Sequence, residues 1–514
     1  GGPPMPRHQA ARSPIARIFA GSPGGRMPDL SASHEAASPS TWAPSGRSWS
    51  QRTFSKVQAG SVRGSIFSLC CSAIGMGVLL LPYTMAQVGP LLALVLLFVA
   101  GLAAYSSLRI CCAGMQATNS HSYVDTLIAL FSDRVAMVLT SMLVVACFGL
   151  CCGYMVFSSQ LLQQLLEVAG VRCQRGTIVL VTACLPVFPL SLFRNLSDFR
   201  YLTLVSLVGL TYLTILVVIR TPNYIGNNGL GHDWLWRVHD ISAFPKCLSL
   251  CFTAYTVHMN VFACYDELQN PSRNRIVKVL FRSTMVQSTL YISIAICGFL
   301  SFGVNTPDNI LMAYSLHDVL GNIGRGFVSF QLLLAVPLTV HPARTYLWPL
   351  VRPCCRRHAV ARPASPVAIT GSGGVRLVPV NGGASPSVTE IEEQENSMGG
   401  IAESADGMSR TVHITMTAVL ISLAALVSSC VDSASDLLGI VGGFAAVTYA
   451  YLLPAEMAQR LRRSGVTNNI DWTNSPASFV AGRFGLLVIW GLRACSVLGY
   501  IAAAQCASNM IQGK

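Results

Sequence analysis

The sequence predicts an all-α polytopic membrane protein with about eleven transmembrane helices. Three observations carry that prediction. Of the 514 residues, 52% are hydrophobic and 11% are charged, whereas a soluble domain carries about 25% charged residues. Apolar runs as long as a bilayer demands, about 20 residues of helix, recur between residues 63 and 506. The basic residues behind the net charge of +13 gather in the connections between those runs. That is the pattern of cytoplasmic loops and not of a nucleic-acid-binding face, and no nucleic-acid motif accompanies it.

Residues 1–60 are rich in Pro, Gly, Ser and Arg and have no sustained apolar run. Such composition cannot bury a core, so they are expected to be a disordered cytoplasmic tail. They also lack the apolar stretch of a secretory signal peptide, which leaves the first span as its own insertion signal. Residues 61–351 hold spans one to eight, at about 63–88, 89–114, 133–168, 176–194, 199–220, 243–268, 276–303 and 321–350. An amphipathic piece, 122–131, precedes span three, and Pro186 and Pro189 interrupt span four. Residues 352–410 turn from basic to Gly/Ser-rich to acidic and read as a disordered cytoplasmic loop. Residues 411–514 hold spans nine to eleven, at about 411–431, 433–454 and 482–506, with Pro454 marking the end of span ten.

With the amino terminus cytoplasmic, the inner connections hold most of the Arg and Lys, among them Arg273, Arg275, Arg356, Arg357, Arg460 and Arg462. The outer ones hold far fewer, such as Arg172, Arg175, Arg220 and Arg237. An odd number of spans places the carboxyl terminus on the opposite side. Most of the eighteen cysteines lie inside apolar runs, where they behave as small hydrophobes. No Cys/His spacing suggests a metal site, and no cofactor is expected. Cys354 and Cys355, beside a basic stretch, are either palmitoylation sites or ordinary thiols.

Two spans are irregular at matching positions. Span one, SIFSLCCSAIGMGVLLLPYTMAQ, carries Gly75, Met76 and Gly77 at its centre. Broken backbone in lipid must find new partners, because no water is there to take them. The glycines either open a pocket or let two helices pack closely. Span six, CLSLCFTAYTVHMNVFACYDEL, carries Thr253, Tyr255, Thr256, His258 and Asn260, all costly against lipid. Paired irregular segments in corresponding halves point to a transporter's binding site.

These residues also carry a resemblance. GSIFSLCCSAIGMGVLLLPY at 64–83, CGYMVF around Tyr154, HMNVFACYDELQNPSRNRIVKV at 258–279, YISIAICGFLSFG at 291–303 and VPLTVHPAR at 336–344 occur in order. In them the chain resembles the amino acid/auxin permease family of the amino acid–polyamine–organocation superfamily, protist permeases included. The resemblance implies a 5+5 inverted-repeat, leucine-transporter-like fold with spans one and six unwound. It implies that backbone around Ser72, Ala73, Gly75, Met76 and Gly77 holds a substrate carboxylate. Thr253, Tyr255 and Thr256 would take the amino group and side chain, with Tyr154 lining or closing the pocket. Ser329 and Thr339 would offer hydroxyls to a sodium ion, or simply bond back to their own helix. Two departures stand out: Ser158, Ser159 and Gln160 replace a frequent acidic residue, and Val257 replaces a frequent Cys.

His258 is either a proton relay or a hydrogen-bonding residue that fixes span six. Asp266 and Glu267, beside Arg273 and Arg275, form either a cytoplasmic ion-pair gate or a solvated helix end. The expected function is ion-coupled secondary transport of amino acids by alternating access, with H⁺ or Na⁺ as the coupling ion. The lipid bilayer and a small amino acid are the expected partners; protein partners are left open. Neutral substrates are favoured, since no acidic side chain stands clearly central in spans one, three, six or eight. The alternatives are cationic amino acids and an amino acid sensor of the same fold signalling through its tails. An enzyme is not expected: there is no Gly-x-Ser-x-Gly, His-Glu-x-x-His or paired intramembrane Asp. Plasma and vacuolar or lysosomal-type membranes both fit.

Overall fold

The computed structural model describes residues 61–73, 75–193, 200–225, 234–268, 271–360, 408–431, 433–463 and 475–512. The expectations for residues 1–60 and for most of the 352–410 loop therefore lie outside the described residues. Helices stand at every predicted span. Span one is two helices, α1 (Val62–Ala73) and α2 (Gly77–Val88). Next come α3 (Pro90–Thr118), the short α4 (Tyr123–Leu130) and the long α5 (Asp133–Val168). Span four is α6 (Arg175–Thr182), a π turn at Ala183–Val187 and α7 (Phe188–Ser191), followed by α8 (Arg200–Tyr224) as span five. Span six is α9 (Phe244–Ala254) and α10 (His258–Glu267), and then come α11 (Arg273–Phe302) and α12 (Val319–Val360). Finally α13 (Arg410–Cys430) precedes a span ten made of α14 (Ala434–Val441), two π turns and α15 (Leu453–Arg463), and α16 (Arg483–Gln512) is span eleven.

Eight helical stretches among the described residues are long and apolar enough to cross a membrane. The outer surface is apolar as well: Phe98 is 71% exposed, Leu487 70% and Trp490 64%. In water so large an apolar patch would be a liability, and in a bilayer it is the solvent-facing surface. Spans six and ten are the centre of the bundle, with 72% and 83% of their apolar windows buried, against 33% for α16 on the rim.

Local chemistry explains the joints. The turn between α2 and α3 uses Gly89 at φ +84°, where a Cβ would stand 2.6 Å from the Arg237 carbonyl oxygen; no other residue fits there. Pro82 inside α2 lies against Gly298 of α11, where a Cβ would come 2.6 Å from the proline ring. Ser122 caps α4 by accepting the Asp125 N–H at 3.1 Å. Pro186 falls within the π turn of span four, as the interruption predicts. Pro454 is a correction: span ten does not end there but continues as α15 to Arg463. The proline follows directly on the second π turn, where the ladder is widened to the i−5 carbonyl (the Leu453 N–H donates to the Thr448 carbonyl) and accommodates a residue without an N–H.

Candidate functional site

The two broken spans meet at their breaks. α1 ends at Ala73 and α2 begins at Gly77; Ser72 and Ala73 close α1, and their side chains, like Ile74, are outside what is described. Met76 flanks α2 with helical dihedrals and gives no side-chain cap. Met76 thus supplies the first amides of α2 with none of the side-chain acceptors that helix starts usually recruit. A Cβ at Gly77 would stand 2.9 Å from the Cα of Ala254, the last residue of α9. Backbone thus touches backbone where both spans break.

Span three lines the same place. A Cβ at Gly75 would stand 3.1 Å from the Tyr154 hydroxyl oxygen, so that ring lies across the span-one break. Gly153 makes room for Met76, whose sulfur would be 2.7 Å from a Cβ there. Of the residues predicted to bind substrate, Gly75, Met76, Gly77 and Tyr154 are brought together.

The span-six residues are placed differently from one another. Thr253 donates its hydroxyl to the Ser249 carbonyl at 2.8 Å within α9, and Thr256, in the break between α9 and α10, donates back to the Phe252 carbonyl of α9 at 2.9 Å. Thr253 also lies against Gly442 of span ten. Tyr255 turns toward α11, donating to Ser288 Oγ at 2.8 Å and meeting the Tyr291 ring edge-on at 5.1 Å.

The carbonyls freed by the break find protein partners, as a low-dielectric setting requires. Tyr291 donates to the Ala254 carbonyl at 2.8 Å and Tyr451 to that of Phe252 at 3.2 Å. Sequence reasoning missed both tyrosines. The available signal was a tyrosine deep in an apolar run, whose hydroxyl must have a partner when buried.

His258 opens α10, fully buried, with Nε2 2.6 Å from Ser107 Oγ of α3 and its ring edge-on to Tyr451 at 5.8 Å. Its Nδ1 has no hydrogen-bond partner among the described residues. This geometry ties span six to spans two and ten. Ser329 and Thr339 donate to the Gly326 and Ala335 carbonyls of α12 at 3.0 and 2.8 Å. At the Val62 end of the bundle, Asp266 is exposed and 2.5 Å from His121 Nδ1, while Arg273 donates to Ser478 Oγ at 2.8 Å. Glu267 is half-buried there, and its Oε1 has no partner among the described residues.

The family described as "Transmembrane amino acid transporter protein" matches residues 58–496. A Toxoplasma gondii protein provisionally named amino acid transporter AAT1 is 29% identical over 324 residues, which is 61% of this chain and 44% of that one. Vacuolar amino acid transporter 6 of Saccharomyces cerevisiae is 24% identical over 451 residues, 84% of this chain and 96% of the yeast protein. Human sodium-coupled neutral amino acid transporter 7 is 23% identical over 292 residues, 54% of this chain and 62% of the human one. The chain thus spans less than half of the Toxoplasma relative and nearly all of the yeast one. Among solved structures, the crystal structure of MhsT in complex with L-phenylalanine gives a TM-score of 0.46 at 12% identity, covering 87% of this chain and 100% of that one.

Proposed function

We propose that this chain, which belongs to the transmembrane amino acid transporter family, carries amino acids across its membrane by alternating access around the paired breaks of spans one and six. The observation that carries the reading is the contact of Gly77 with Ala254 beneath Tyr154. It sets the amino end of α2, which Met76 does not cap, beside the carboxyl end of α9. Amides and the positive end of a helix dipole favour a carboxylate, and carbonyls at a helix carboxyl end favour an ammonium group. An α-amino acid presents both.

Neutral substrates fit best, since α1, α2 and α9 contain no Asp or Glu to answer a cationic side chain. The name of the human relative, a sodium-coupled neutral amino acid transporter, supports the same choice. The yeast relative's name supports a vacuolar-type membrane. H⁺ or Na⁺ drives the cycle in this reading.

The test is uptake of a radiolabelled amino acid panel into proteoliposomes under an imposed proton or sodium gradient. Gradient-driven accumulation of a neutral amino acid is the expected result. Tight binding without flux in folded protein would replace transport with sensing.

A further inference from the structure

Span ten carries a separate piece at its start. α14 is only eight residues, Ala434–Val441, and runs into π turns at Gly442–Ala446 and Thr448–Leu452 before α15 resumes. π turns weaken the regular ladder and are common at functional joints. The first one begins with Gly442 and Gly443, which lie hard against Thr253 and the Gly499 carbonyl. α14 itself lies over α9, with Ser249 Oγ donating to the Gly439 carbonyl at 3.2 Å.

The free end of α14 is pinned by charge. Lys246, in the first turn of α9, places Nζ 2.7 Å from Asp436 Oδ1 in the first turn of α14. The two residues are 8% and 5% exposed. The approach is an ion pair and not an aligned hydrogen bond. Lys246 Nζ also donates to Tyr83 Oη of α2 at 3.4 Å, and Asp308, from the connection before α12, accepts the Ser435 N–H at 3.2 Å. All of this lies toward the Val88 end of the bundle, where Gln87 accepts the His239 and Asp240 amides beside the start of span six. From Lys246 to Thr253 is seven residues of helix, about 10 Å, so α14 covers α9 from that end down to the break.

We propose that α14 is a lid over the pocket on the Val88 side, hinged at the Gly442–Gly443 π turn and latched shut by the Lys246–Asp436 ion pair. The physical case is reversibility. Two apolar side chains would hold α14 down in every state. Two charges hold it only while they are paired out of water, and each gains hydration once the lid lifts. The inference rests on the pocket reading above, and its test does not use uptake.

Two native cysteines report on the lid: Cys247 beside the latch and Cys506 of α16 under Gly439, both fully buried. The full-length protein is treated with a water-soluble maleimide, and labelling at each cysteine is read by mass spectrometry. Lys246→Met and Asp436→Asn are each expected to raise Cys506 labelling about a hundredfold or more, the scale expected when one partner of a buried pair is removed. The charge swap Lys246→Asp with Asp436→Lys is expected to restore protection. If the single variants fail to fold, Lys246→Met with Asp436→Met removes both charges and leaves none unpaired; with two apolar side chains in the latch, Cys506 is expected to be at least as protected as in wild type. Cys506 as protected in a folded single variant as in wild type, or labelled well above wild type in a folded double-methionine variant, would overturn the latch. Raised labelling together with absent wild-type uptake would keep the lid and discard transport.

Discussion

Replacing Gly77 by alanine puts a methyl group into the contact between the two helix breaks. That methyl would stand 2.9 Å from Ala254 Cα, 3.1 Å from its Cβ and 3.5 Å from its nitrogen. None of these atoms is the loose end of a side chain. Ala254 is also tethered, because its carbonyl accepts the buried Tyr291 hydroxyl at 2.8 Å. Overpacking of this kind costs about 1–3 kcal/mol. Exchanging glycine for alanine in a helix returns at most about 1 kcal/mol. Because no atom in this contact can swing aside, overpacking wins, with a net loss of up to about 2 kcal/mol after the full helix return. Gly491 of α16 is the control, since a Cβ there meets nothing within 4 Å and only the helix gain applies. We expect Gly77→Ala to lower the thermal unfolding midpoint in detergent and Gly491→Ala to hold or raise it. Relief of the strain by spreading the breaks would also weaken substrate binding about tenfold, at about 1.4 kcal/mol per decade. The reasoning fails if Gly77→Ala is as stable and binds as tightly as wild type, or if Gly491→Ala loses as much.

Ser107→Ala leaves both His258 ring nitrogens unpartnered in the core, which should cost about 1–3 kcal/mol, read as a lower unfolding midpoint. Tyr154→Phe keeps the ring across the span-one break and removes its hydroxyl; Kd should rise about threefold to tenfold in an equilibrium binding assay, with thermal stability unchanged. Asp318, in the connection before α12, gives a pH dependence. Burial raises its carboxyl pKa, but the Gly321 N–H and the Arg220 guanidinium outweigh that and hold it below the usual carboxylate range. Its contribution to stability is thus complete above the ordinary value of about 3.9 and is lost as pH falls through the folded value. Asp318→Asn should flatten the acid side of a melting-temperature profile taken between neutral and acid pH.

The positions of the helices were legible because each membrane crossing needs a long apolar run, and those runs are separated by basic connections. The break in span one was legible as Gly75-Met76-Gly77, and that in span six as polar residues no lipid-facing helix would carry. The course of span ten was not. Pro454 reads as a stop in an α-helical register, and only the two π turns before it widen the ladder enough to carry it through. The roles of the span-six hydroxyls were equally hidden: Thr253 bonds back one turn within α9, and Thr256 bonds back from the break to the Phe252 carbonyl, which spacing alone cannot distinguish from an outward role. The tyrosine caps at Ala254 and Phe252, and the Lys246–Asp436 pair, join residues 37 and 190 or more positions apart. Such pairings arise from packing between spans and leave no local pattern.

The most direct measurement is equilibrium binding of a radiolabelled neutral amino acid to the purified full-length protein and to Gly75→Trp. The indole would occupy the space between the span-one break and the Tyr154 hydroxyl, a gap that already brings a Cβ to 3.1 Å. Saturable binding by wild type, absent from a Gly75→Trp protein that still elutes and melts as a folded species, is the predicted result. A folded Gly75→Trp protein that binds as tightly as wild type would place the substrate elsewhere and contradict the account.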